Sequence, residues 1–157
     1  MLAQVNVELP INECSGLLAY SHRVPLLLNG IILAPGLHIR QSIDGRLIAG
    51  RDFSGDSLVT SNYIDEALLI ASEACKLLGV GNFDLAYFKV GIRPIPDDGF
   101  PVIGRVPNVP NLYISVMHSG ITLAPIVGRL SAEEIIHGHT IDQIEAYSIK
   151  RFLEKAC

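Results

Sequence analysis

The stretch 111–138, NLYISVMHSGITLAPIVGRLSAEEIIHG, constrains this chain more than any other. Residues 111–116 are short and apolar, the pattern of a buried strand. They run through His118-Ser119-Gly120 directly into a predicted helix over 120–137, which Gly138 ends. Ala124, Gly128 and Ala132 recur every four positions, so a neighbour can approach that face closely. Pro125 falls in the first turns, where its missing N–H is expected to cost little. The first turn leaves the N–H groups of Gly120, Ile121 and Thr122 without intrahelical acceptors. Gly120 lets a ligand come near the backbone. Such a helix start favours negative charge, including charge that builds up on a ring carbonyl. The alternative is an ordinary strand–helix turn with Ser119 as its N-cap.

The remaining elements predict a mixed α+β fold, strand-rich at first and then built of strand–helix units, with a change in character near residue 80. Residues 4–9 (QVNVEL) alternate like a strand that stops at Pro10. Residues 24–33 suggest a hairpin around Asn29-Gly30, and 36–51 a second around Asp44-Gly45, a pair suited to a type I′ turn. Residues 53–57 read as loop. A helix is expected over 62–78, with Ile64, Ala67, Leu68, Ala71, Cys75 and Leu78 on its apolar face and Gly79 just past its end. Residues 84–93 read as a strand, and 94–99 (PIPDDG) as a turn.

Composition narrows the function classes. Of 157 residues, 49% are hydrophobic and 18% charged, the latter below the usual ~25%. That excludes disorder and suits a face that meets another protein surface. Net charge is −4 and no run of Lys or Arg occurs, so nucleic acid is not an expected partner. Cys14, Cys75 and Cys157 are few and far apart, which excludes a disulfide scaffold or a zinc knuckle, and Cys75 reads as a core thiol. Residues 1–10 lack signal-peptide character, and the apolar run 25–36 is shorter than the ~20 residues of a membrane span. A reducing, cytoplasmic compartment is therefore expected, with no membrane partner. The nearest approach to G-x-G-x-x-G is Gly79-Val80-Gly81-Asn82-Phe83-Asp84, which follows a helix, precedes a strand and lacks the third glycine. No P-loop, H-E-x-x-H or G-x-S-x-G occurs.

A second informative stretch is 91–104, GIRPIPDDGFPVIG. Arg93 ends a strand, and its guanidinium can clamp a carboxylate bidentately. The alternatives are an ion pair with Asp97 or Asp98, or a solvated arginine.

Taken together, GIRPIPDDGFPVIG, NLYISV and HSGITLAPIVGRLSAEEII resemble, in order and spacing, the carboxy-terminal part of the FAD-dependent amino-acid and amine oxidoreductases. This is the superfamily of D-amino-acid oxidase, glycine oxidase and sarcosine oxidase. The pair HIRQSIDGRLIAG resembles its substrate-domain strands, and Tyr147–Phe152 (YSIKRF) its closing tail; the resemblance covers roughly residues 25–152. It implies a substrate-binding portion over 1–90 and the carboxy-terminal strand–helix portion of an FAD-binding domain over 91–157. It implies FAD as cofactor, Arg93 on the substrate carboxylate, and Gly120, Ile121 and Thr122, with Ser119, at the flavin's pyrimidine ring. His118 stands where relatives often carry an arginine or a second glycine, and is a candidate substrate contact. No residue is assigned a catalytic acid–base or nucleophilic role. The implied reaction is hydride transfer from the Cα–H of a small amino acid or amine to the flavin, leaving an imine that water hydrolyses. The family's amino-terminal Rossmann half, with its glycine-rich loop, is not in this sequence. The expected partner is that missing half or a partner subunit carrying it, and the chain reads as a fragment or subunit of a larger enzyme. A non-catalytic remnant or interaction module is the alternative.

Lesser candidates carry bland readings. His118 and Ser119, as sequence neighbours, are not expected to face each other as a catalytic pair. His137 and His139 suit a helix end but lack a third metal ligand, so no metal site is assigned. Asp97 and Asp98 read as solvated, Glu133-Glu134 as a wetted face, and His22 as a histidine with no visible partner. His38 alternates in a strand and could face a substrate.

Overall fold

The computed structural model describes residues 2–51, 62–81 and 83–153. The expected loop 53–57 and Cys157 lie outside them, as does Asn82. The chain forms two compact units, Cys14–Arg93, and Met1–Glu13 with Pro94–Cys157.

The first unit is a five-stranded sheet in the order β2-β3-β4-β1-β5 with one helix. Its strands are β1 (Ile11–Arg23), β2 (Ile31–Ala34), β3 (Leu37–Gln41), β4 (Arg46–Gly50) and β5 (Leu85–Pro96), and its helix is α1 (Tyr63–Leu78). β1 and β5 run past the unit's ends into the second unit. The pairs β1–β4, β3–β4 and β2–β3 are antiparallel. Side chains alternate between the two faces with period two. Leu17 and Ala19, Leu37 and Ile39, and Leu47 and Ala49 turn toward Ala67, Ile70, Ala71 and Ala74 of α1, forming one apolar core. Ile64 and Leu68, expected on that helix face, are instead half exposed, while Ile70 and Ala74 are buried. Cys75 packs only at the core's margin. Gly79 (φ 65°) ends α1, its N–H donating toward the carbonyls of Cys75 and Lys76.

The hairpins differ from expectation. β2 turns into β3 at Pro35-Gly36 (Gly36 φ +73°), not at Asn29-Gly30. β3 and β4 do join through Asp44-Gly45, but only Gly45 takes a positive φ (+88°), and its N–H donates to Ser42 O at 2.9 Å. A type I′ turn requires two such residues, so this is not one. Residues 4–9 form no strand. A 3-10 turn over Leu2–Val5 is followed by Asn6 at φ +54°, which breaks an extended path.

In the second unit, β6 (Val102–Arg105) and β7 (Tyr113–Val116) form an antiparallel pair, and α2 (Gly120–His137) follows. Two four-residue turns of helix, α3 (Asp142–Glu145) and α4 (Lys150–Leu153), close the described chain. Val7 packs with Val102, Val106, Ile114 and Ile149, which is why the first thirteen residues belong with the carboxy-terminal part and not with residues 14–93. The boundary therefore differs from the 1–90 and 91–157 division. Pro125 sits inside α2, beyond the first turn, and removes the N–H that would have bonded Ile121 O.

The carboxy-terminal tail is pinned by Arg151. Its Nε and Nη2 donate to the two carboxylate oxygens of Asp98 at 2.6 and 3.1 Å. The same guanidinium donates to the carbonyls of Tyr147, Ser148 and Phe100. The Arg151 hydrogen bonds hold the Asp98 carboxyl below its ordinary value of 3.8. A lowered carboxyl favours the folded state above that value, and the contribution is lost as pH falls through the lower folded value. Replacing Arg151 by Ala should cost about 1–2 kcal/mol in urea unfolding at neutral pH, and should flatten the acid limb of the stability curve. An unaltered limb would show that this pair does not stabilise the tail.

Candidate functional site

Arg93 lies near the end of β5 and is half-buried. Its guanidinium lies over Gly16 of β1, where a Cβ would stand 2.7 Å from Nη2 and 3.1 Å from Nε. Glycine at that position is therefore what lets the guanidinium rest against the sheet. Asp98, one of the partners the sequence offered to Arg93, is held by Arg151 instead.

The start of α2 is built by different means. Ser119 occupies the N-cap position (φ −97°, ψ 43°) but makes no side-chain cap bond. Its Oγ lies 3.0 Å from Nδ1 of His118, so these neighbours do meet, contrary to expectation, and the contact orients the imidazole. The first helical bond is Leu123 N–H to Ser119 O, 3.0 Å. The N–H groups of Gly120, Ile121 and Thr122 thus have no acceptor within the helix. All three residues are exposed, Ile121 to 94%. No acidic side chain stands in this first turn. Beside it is an open cavity of about 540 Å³, walled by Gly120, Ala124, Val127 and Gly128 of α2, by Val116 and Met117, and by Ile11 and Pro94.

These features fit a flavin. Apolar walls suit a flat aromatic system, the small residues of α2 clear room beside the helix, and N–H groups with no acidic side chain in the same turn suit an electron-rich ring carbonyl. The described residues offer no loop for a diphosphate, since Gly79 serves to cap α1.

Other readings change. Glu133 pairs with Arg129 on the surface at 3.1 Å, but Glu134 is buried, 4% exposed, and accepts a 2.7 Å hydrogen bond from the Tyr113 hydroxyl. Burial and then this bond push the Tyr113 hydroxyl up to about 12. The sequence signal that could have located this pair is a tyrosine opening a buried strand, since a buried hydroxyl needs an acceptor. His137 and His139 stack at 5.9 Å, and among the described residues no three His, Cys, Asp or Glu side chains gather as a metal site. No helix among them is long and apolar enough to cross a membrane.

The profile of the family described as FAD dependent oxidoreductase matches residues 8–134. The chain belongs to this family. A subunit of the opine oxidase of Agrobacterium tumefaciens (strain Ach5) is 24% identical over 149 residues, which span 94% of this chain and 39% of that protein. Glycine oxidase of Pseudomonas aeruginosa is 28% identical over 137 residues, spanning 85% of this chain and 37% of that one. The crystal structure of iminodiacetate oxidase from Chelativorans sp. BNC1 matches with a TM-score of 0.72 at 23% identity, covering 94% of this chain and 42% of that one. This chain therefore spans about two-fifths of the length of the relatives it matches, and its mixed α+β architecture is the family's own.

The raised Tyr113 hydroxyl leads to a second test. Such a group favours the folded state fully below its ordinary value of 10, and the contribution is lost as pH rises toward about 12. Tyr113→Phe should abolish that alkaline loss. It should also cost about 1–3 kcal/mol at neutral pH, because the buried Glu134 carboxylate loses a donor. Equal unfolding curves for the two proteins from neutral pH to pH 11 would contradict this.

Proposed function

We propose that this chain is the substrate-binding and flavin-facing part of an FAD-dependent oxidoreductase that oxidises the C–N bond of a small amino acid or amine. The observation that carries the reading is the start of α2, whose first three N–H groups have no acceptor in the helix and whose Gly120 lines an apolar cavity, in a chain whose family is FAD-dependent. Bound FAD supplies the acceptor for the two electrons that leave the substrate. The chain's own residues bind and orient. Arg93 holds the substrate carboxylate, which fixes the carbon to be oxidised. The N–H groups of Gly120, Ile121 and Thr122 face the pyrimidine ring and favour negative charge there by ~0.3–2 kcal/mol. Ser119 holds the imidazole of His118, which contacts the substrate. The diphosphate is anchored by a strand–G-x-G-x-x-G–helix unit outside this sequence. Relatives more than twice as long, one of them named as a subunit, support that division.

Co-expression with a polypeptide carrying such a unit should yield a yellow complex with one flavin per chain. The 157-residue chain alone should be colourless, and a stoichiometric flavin on the chain alone would contradict the division of labour. In the complex, Arg93→Ala should raise KM for a carboxylate-bearing amine by about 10–100-fold, since a charged clamp is worth ~1.5–3 kcal/mol. An unchanged KM would take Arg93 out of the site.

A further inference from the structure

Three places in this chain set an amide or acid side chain immediately before a glycine: Asn29-Gly30, Asp44-Gly45 and Asp98-Gly99. A glycine nitrogen has no side chain beside it to block its approach to the γ-carbon of the residue before it. The structure closes that approach at both aspartates. The Gly45 N–H donates to Ser42 O at 2.9 Å and the Gly99 N–H to Pro96 O at 2.7 Å, so neither nitrogen is at liberty. The Asp44 carboxylate accepts from the Ser42 hydroxyl and pairs with Arg46 at 3.3 Å. The Asp98 carboxylate is gripped by Arg151 at 2.6 and 3.1 Å. These donors hold both carboxyls below their ordinary values, and an ionised carboxylate resists attack by a nucleophile.

Asn29-Gly30 has none of these restraints. Its side-chain amide carries no charge. Both residues are exposed, and a Cβ on Gly30 would meet nothing within 4 Å. Among the described residues neither the Asn29 side chain nor the Gly30 N–H has a hydrogen-bond partner. The pair also falls in a gap in the anchoring of the backbone. The Gln41 side chain holds the chain from Val24 to Leu28, and the pairing of β2 with β3 begins at Ile31. Asn29 and Gly30 are the two residues between.

We infer that Asn29 is a site of spontaneous modification, a deamidation whose only co-reactant is water. The Gly30 nitrogen gives up its proton and attacks Cγ of Asn29. The N–Cγ bond forms, the Cγ–Nδ2 bond breaks, and Nδ2 leaves as ammonia with that proton, closing a five-membered succinimide. Water then opens the ring. Addition at Cγ gives aspartate. Addition at the main-chain carbonyl carbon leaves Gly30 joined through Cγ, which is isoaspartate. In sum one amide and one water become one carboxylic acid and one ammonia, with no change of oxidation state. Either product adds a negative charge to a chain of net charge −4. Isoaspartate also lengthens the main chain by one carbon just before Ile31, whose partner across the sheet is Arg40. A strand's register is set by the chain that leads into it, so the opening pair of β2 is where the change acts. The flavin takes no part, so this inference is independent of the proposed function.

The test is to age the full chain near neutral pH, digest it with trypsin and follow the peptides by chromatography and mass spectrometry. Cleavage after Arg23 and Arg40 releases residues 24–40, in which Asn29 is the only asparagine. This peptide should gain the mass of one amide-to-acid conversion and split into aspartate and isoaspartate forms before any of the chain's other asparagines convert. Gly30→Ala should slow the conversion about 10-fold or more. Asn29→Gln, which would have to close a six-membered ring, should remove it over the same period. Isoaspartate at Asp44 and Asp98 should form faster in the chain aged unfolded in guanidinium chloride than in the folded chain. The inference is overturned if Asn29 converts no faster than the other asparagines, if Gly30→Ala leaves the rate undiminished, or if the two aspartates isomerise equally fast folded and unfolded.

Discussion

A helix cannot satisfy its own first N–H groups, and in this protein no capping side chain does it for α2. Ser119 stands in the capping position but meets His118 instead. The unmet donors of Gly120, Ile121 and Thr122 then open beside a cavity with apolar walls, and no carboxylate competes for them in the first turn. β7 delivers the chain to this point, and the Gly120, Ala124 and Gly128 positions keep that side of the helix low. A ring whose carbonyl gains electron density is stabilised by such a set of dipoles more when reduced than when oxidised, which is the means by which a protein adjusts a flavin.

Small side chains shape the sheet in the same way. Its α1-facing side is filled by Leu, Ile and Ala, and its stability comes from burying them. On the opposite side, Gly16 and Gly50 give up packing so that Arg93 and His38 can lie across the backbone. Strand glycines weaken a sheet, so their concentration under two polar side chains marks a place where close approach matters more than local stability.

Elements with strong local signals were legible in the sequence. Helix α2 runs from Gly120 to His137 with Gly138 behind it, and α1 ends at Gly79, because left-handed glycines terminate helices wherever they occur. β1 was not legible. Leu17 and Ala19 point to the core while Leu18 and Tyr20 occupy the open face, so apolar residues fall on both sides and the alternation vanishes. Asn29-Gly30 carried the hairpin signal, yet the turn between β2 and β3 falls at Pro35-Gly36. The choice between them is made by a distant residue: the Gln41 amide accepts from Leu27 and Leu28 N–H and donates to the carbonyls of Val24 and Pro25, holding that stretch as a loop. In the candidate site, Arg93 and the helix start were visible as motifs. The glycines beneath Arg93 and His38 were not, since their meaning depends on strand register. The burial of Glu134 likewise depends on where Tyr113 stands, which no local pattern records.

Amide hydrogen exchange at the opening of α2, compared with and without FAD in the complex of this chain and a polypeptide carrying the diphosphate-binding unit, tests the central claim most directly. Exchange at Gly120, Ile121 and Thr122 should slow when the cofactor binds, while amides in the middle of the helix change little. Bound FAD with unchanged exchange at these three amides would contradict a flavin-facing helix start.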